Sequence, residues 1–174
     1  MVRDDESESG GESAGVECDK LGVVGADGGG ADNNWNTAGN WNPDGVPANN
    51  GTANLIFSGT AQTTNNVDVA WNINTLTFHS SAGAFLITNS ALTIQSGGVI
   101  NNSASAQAFS NAITLGADQT WNAAAGDLYF HGTVSGGPTL TKNGTGTVFL
   151  LGANSYGTSN TVGTYINGGT LAVI

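Results

Sequence analysis

Residues 75–94 read TLTFHSSAGAFLITNSALTI, and the alternation in this stretch decides the fold. Leu76 and Phe78 share one side of a short segment, Leu92 and Ile94 share one side of another, and small polar residues fill the positions between. Apolar residues at every second position mark half-buried strands. Outward from this stretch the same pair recurs as Leu55 and Phe57 in "TANLIFSG" at 52–59, Ile113 and Leu115 in "AITL" at 112–115, and Leu128 and Phe130 in "DLYF" at 127–130. It returns as Val148 and Leu150 in "TVFL" at 147–150 and as Leu171 and Val173 in "TLAV" at 170–173. The first members are 21, 16, 21, 15, 20 and 23 residues apart, a mean near 19. A short strand repeated at that period is the mark of a solenoid, in which a coil buries its apolar face only when its neighbours stack on it. A β-sandwich is the alternative, with strands every 8–12 residues joined by hairpins. The intermediate segments "VDVAWNI" at 67–73 and "AFLIT" at 84–88 serve either plan. No window from Asn33 onward carries a helical period.

Turn chemistry favours the solenoid. Asn-Gly pairs stand at 50–51, 143–144 and 167–168, and Gly-Gly pairs at 97–98, 136–137 and 168–169. These residues tolerate the positive φ that tight corners need. Abundant Asn, Thr and Ser suit stacked coils as well, because like amides on successive coils form hydrogen-bonded ladders.

Composition narrows the function classes. Charged residues are 9% of the chain, against about 25% in ordinary soluble domains. The net charge is −10, which argues against nucleic acid and against anionic membrane surfaces, since both attract clustered Lys and Arg. Residues 1–32 hold nine acids and two bases, 2 − 9 = −7, and no aromatic residue. That segment is expected to be a disordered acidic Gly/Ser-rich tail, because it buries too little to offset chain entropy. Its "LGVVGA" at 21–26 is too short for a signal-peptide core. No stretch approaches the roughly 18 apolar residues of a membrane span. The single cysteine, Cys18, excludes an internal disulfide framework and a Cys-based zinc site.

The segment 140–174 carries a family resemblance. Leu140 and Lys142 open a pattern continued by Gly144, Thr145, Gly146 and Thr147, then Gly152, Ala153, Asn154 and Tyr156, and closed by Asn167, Gly168, Gly169, Thr170 and Leu171. This run resembles the passenger-associated transport repeat of bacterial autotransporters, also called the autotransporter-associated β-strand repeat. Val148 replaces the usual Leu, and "GTSNTVGTYI" at 157–166 is longer than the family norm. Looser similarity extends over 40–59 and 113–137. The resemblance implies an all-β, right-handed single-stranded parallel β-helix of about six to seven coils over 33–174, secreted or held at a bacterial outer membrane. The family's repeat assists secretion and folding and does not catalyse a reaction, and the implied partner is a surface glycan or a host cell-surface target. The chain stops at Ile174 after a repeat with no polar capping coil. Solenoids need capped ends, so a fragment of a longer repeat protein, or end-to-end self-association through that coil, is expected.

Candidate site residues are few. All four tryptophans, Trp35, Trp41, Trp71 and Trp121, precede asparagine. They read either as sugar-stacking platforms or as interior and end-covering residues whose indole N–H meets a carbonyl, and the second reading is preferred. The acids beyond the tail are Asp44, Asp68, Asp118 and Asp127. Asp118 and Asp127 fall nine residues apart, where adjacent strands of one coil would bring them towards a glycosidase pair. His79 and His131 each follow a strand and are read as corner surface residues, although stacking could bring them together. Lys142 belongs to the transport repeat, no Gly-x-Ser-x-Gly elbow occurs, and a serine nucleophile lacks its partners. The run "GADGGGADNNW" at 25–35 faintly resembles a calcium nonapeptide but occurs once, so a flexible acidic linker is expected there. No catalytic, metal or cofactor residue is assigned, and no cofactor is expected. A structural or adhesin-like passenger is favoured over a carbohydrate-binding or pectin-lyase-like degrading β-helix.

Overall fold

Successive coils of the chain lie on one another in parallel, forming a β-solenoid of about six turns with three sheet faces. The computed structural model describes residues 23–26, 29–158 and 162–174. Of the acidic tail expected to be disordered over 1–32, residues 1–22 and 27–28, Cys18 among them, lie outside the described residues.

The first face is built where Trp71–Ile73 pairs Leu92–Ile94, which pairs Ile113–Leu115, followed by Val134–Gly136 and Ser155–Tyr156. On the second face Val23–Ala26, Asn54–Phe57, Thr75–Phe78, Gly98–Asn101, Gln119–Ala123, Leu140–Asn143 and Thr164–Ile166 stack in turn. The third face stacks Thr64–Val67, Leu86–Asn89, Gln107–Phe109, Leu128–Phe130, Thr147–Leu150 and Thr170–Val173. The strands Trp71–Phe78 and Leu92–Asn101 run through the bend between the first two faces, with a bulge between Ile73 and Thr75. Later coils break at that bend into separate strands.

True repeats are therefore longer than the mean of 19. Leu55, Leu76, Val99, Trp121, Lys142 and Ile166 occupy one column, 21, 23, 22, 21 and 24 residues apart. The sequence pairs mix three faces: 55 and 76 sit on the second, 92 and 113 on the first, and 128, 148 and 171 on the third. The steps of 16 and 15 are changes of face, because alternation reports burial and not which face a strand joins.

The inward residues fuse into one core. Leu55, Phe57, Leu76, Phe78, Leu92, Ile94, Ile113, Leu115, Leu128, Phe130, Val148 and Leu150 are all buried. Within it an aromatic spine follows the axis. Trp35, Trp41, Phe57 and Trp71 cluster at the first coil, with Trp35 and Trp41 edge to face at 5.9 Å. Phe57 meets Phe78, Phe78 meets Phe109, Phe109 stacks on Phe130 at 4.7 Å, and Phe130 stacks on Trp121 at 3.9 Å. Such ring pairs add about 0.5–1.5 kcal/mol each beyond area burial.

The boundary of the ordered unit falls earlier than composition placed it. Val23–Ala26, counted with the tail, pairs in parallel with Asn54–Phe57, and Trp41–Asn42 closes its outer edge antiparallel. A four-residue run cannot fold alone, but a ready sheet edge supplies its hydrogen bonds. Nor is 29–35 a flexible linker. Asp32 Oδ1 accepts from the Asn34 backbone N–H at 3.0 Å and from Asn40 Nδ2 at 3.1 Å, while Oδ2 accepts from the Thr37 hydroxyl at 3.0 Å. The loop thus seats Trp35 over the first coil, where its backbone N–H reaches Asn66 O at 3.0 Å.

Amide ladders run along the outside as expected. Asn89 donates to Asn66, which donates to Asn34, and Asn74 bonds Asn54 at 2.7 Å, Gln95 bonds Asn72 at 2.9 Å and Asn167 bonds Asn143 at 3.1 Å. Gly98 shows why glycine marks these corners: its φ is +66°, and a Cβ there would run into the Thr120 carbonyl of the next coil.

Candidate functional site

The groups capable of chemistry are placed one by one, and among the described residues the fold brings none of them together as a reactive set. All four tryptophans lie inside, each 2% exposed or less. Trp35 Nε1 donates to Asn65 Oδ1 at 3.3 Å, Trp41 Nε1 to the Trp35 carbonyl at 2.7 Å, and Trp121 Nε1 to Gln119 Oε1 at 2.8 Å. Trp71 Nε1 is buried without a partner, and only Trp41 meets a backbone carbonyl. Rings enclosed on both faces offer nothing for a sugar to stack on, so their placement in the interior and over the first coil agrees with the preferred reading, while the expected N–H to carbonyl contact is met by Trp41 alone.

The carboxylates act across coils. Asp118, at the corner between the first and second faces, accepts the Thr139 backbone N–H at 2.7 Å. Asp127, at the corner between the second and third, accepts that of Thr147 at 2.7 Å. The two acids thus stand at different corners, each holding the coil about 20 residues on. Two side chains reach backwards instead: Asp68 accepts the backbone N–H of Asn36, 32 residues earlier, at 3.1 Å, and Asn154 Oδ1 accepts that of Val134, 20 residues earlier, at 2.9 Å. His79 follows the second face and His131 the third, so stacking does not pair them. His79 Nδ1 is turned to Ser81 at 2.8 Å, and His131 lies beside Tyr129.

The bond from Thr139 holds the Asp118 carboxyl below the ordinary 3.8. A carboxylate depressed in the folded state contributes stability that is present above the unfolded value and is lost as pH falls through the folded one. Asp32 shifts the same way, chiefly through the Asn34 N–H. Asp118→Asn is expected to flatten the fall of melting temperature on acidification below 3.8. Thermal melts through the acid range check this, and an unchanged slope would assign the acid lability to other groups.

Alternation does not reveal the buried polar side chains. Lys142 is fully buried, and its Nζ donates to the carbonyls of Asn143 at 2.6 Å, Gly144 at 2.9 Å and Gly168 at 3.0 Å. Burial pushes its pKa below the ordinary 10.5, and the Asp127 charge partly opposes that. Gln107 takes the Phe85 N–H and gives to Gly83 O, while Gln119 gives to Ile94 O. These amides close corners between coils. The only sequence hint is Gly or Ser beside each turn, a weak signal.

A cavity of about 20 Å³ beside Asn34, Trp35, Asn40, Gln62 and Asn65 has room for one water molecule. The outer faces differ in chemistry. The first carries Asn72, Thr93, Thr114, Ser135 and Ser155 in one column. The third carries Leu86, Ala108, Tyr129, Phe149 and Ala172. Among the described residues no helix is long and apolar enough to cross a membrane. No family model, curated protein or solved structure matches this chain.

Proposed function

We propose that this chain is a non-catalytic β-solenoid scaffold of the autotransporter-passenger kind, exported to a bacterial surface, with residues 140–174 assisting secretion and folding. One observation carries the non-catalytic part: the groups that chemistry would need are occupied in holding coil to coil. Asp68, Asp118 and Asp127 receive backbone N–H groups from other coils, and the Lys142 amine is enclosed by three carbonyls. A general acid or base must be free to meet a substrate proton. The export part rests on the motif of 140–174, whose Lys142 and Gly168 tie the last two coils together. An adhesive role would use the outer faces, which are long, regular and nearly uncharged.

The test is display in a bacterium. The chain is placed between an export signal and an outer-membrane translocator barrel, and surface exposure is read by protease accessibility of intact cells. Exposure of the complete chain is expected, with a severalfold loss when 140–174 is deleted. Equal display with and without the repeat would remove its secretion role. Release of sugar ends from pectin by the purified protein would overturn the non-catalytic reading.

A further inference from the structure

The outer side of the third face carries an apolar patch that neither the carboxylate staples nor the cap uses. Tyr129 and Phe149 stack at 4.4 Å with 9° between their planes. One rung on, Ala172 continues their column, and one rung back stands Ala108. His131 and Leu151 follow the paired Phe130 and Leu150, and Ile174 follows Val173, giving a second column beside the first. Leu151 N bonds Phe130 O at 2.9 Å and Ile174 N bonds Leu150 O at 3.1 Å, so this second column keeps the same parallel register. Ile174 is 82% exposed. Side chains alternating with these point inward and are buried through Leu150, so the patch is fixed by the pleat.

We propose that this patch is a self-association surface, and that its occupant is the same patch on a second copy of the chain. Three features select that occupant. Neither column across Tyr129/His131, Phe149/Leu151 and Ala172/Ile174 holds an Asp, Glu, Lys or Arg, so two copies meet without opposing carboxylates or ammonium side chains. Its ridges recur at the rung spacing of about 4.8 Å, a period that another stack of β-coils matches rung for rung. Its profile is also self-complementary. A twofold axis lying in the contact plane through the Phe149 rung sets Phe149 against Phe149 and Leu151 against Leu151. The same axis sets the bulky Tyr129 of each copy over the small Ala172 of the other.

The rings favour a protein over a sugar. Tyr129 and Phe149 turn their faces to each other along the axis and offer edges to solvent, whereas a pyranose stacks on a ring face. Twofold contact of this kind closes as a dimer and does not grow. Six side chains per copy make a small interface, so association is weak and concentration-dependent.

Sedimentation of the full chain over a wide concentration series tests the proposal. Wild type is expected to move from monomer to dimer. Phe149→Lys is expected to raise the dissociation constant at least about tenfold with its melting temperature kept, because the position faces outward. Leu151→Lys serves as the second variant should the first fail to fold, and Thr93→Lys on the first face is expected to leave the dimer intact. A monomer at every concentration would overturn the proposal. So would an association that survives both patch variants and is lost in Ile166→Lys, which would place the contact at the last coil's edge.

Discussion

Lys142→Met is expected to lower the free energy of unfolding by about 3 kcal/mol, as read in denaturant melts. Methionine keeps most of the stem's volume, so packing against Trp121 and Ile166 in the same column is retained. What is lost is a charged donor shared by three carbonyls, two in the turn after Leu140–Asn143 and one, Gly168, in the next coil. Hydrogen bonds to a charged group contribute about 1.5–3 kcal/mol, and a buried acceptor left without a donor costs about 1–3 kcal/mol. Asn143, Gly144 and Gly168 are half-buried, so freed carbonyls regain water, which keeps the sum near the lower end. Amide exchange should show the effect unevenly: Thr164–Ile166 and Thr170–Val173 lose protection first, because they follow the clasp. Uniform loss of protection would mean that the lysine stabilises the whole stack and not the last coil.

Phe130→Ala is expected to cost about 3–5 kcal/mol. Phe130 is fully buried and sits between Trp121 and Phe109, stacked on both. Its removal opens a ring-sized void in the middle of the spine, where strands above and below are fixed by parallel pairing and cannot collapse inward. Phe149→Ala provides the contrast. It lies on the outer side of the next rung, and truncating it is expected to cost under about 1 kcal/mol, in line with surface changes. A reversed order of cost at the two positions would mean that inner and outer sides had been exchanged, as in a one-residue register slip.

The strand content and the inward residues were legible because burial in a pleated strand is written as alternation. Leu55 with Phe57 and Leu128 with Phe130 needed no other information. The three-faced cross-section was not legible, because Leu76 and Leu92 look alike in sequence and only backbone pairing assigns them to different faces. Val23–Ala26 was hidden by its acidic neighbours, since a short strand borrows its stability from the edge it joins. Asp118 and Asp127 suggested a reactive pair when counted along the chain. Their stapling role follows from the coil length, which sets a carboxylate beside an N–H about 20 residues later.

Parallel stacking also fixes how the molecule answers mechanical load. Hydrogen bonds between coils point along the solenoid axis, so tension applied at its two ends pulls on one rung at a time, as a zipper is opened. A coil of about 21 residues then pays out roughly 70 Å of extended chain where it had occupied about 4.8 Å of axis. Within the described residues the tryptophan cluster fastens the first coil more firmly than Leu171 and the exposed Val173 fasten Thr170–Val173, so the first coil is expected to be the last to open. Under tension along its axis such a stack is expected to lengthen in coil-sized steps.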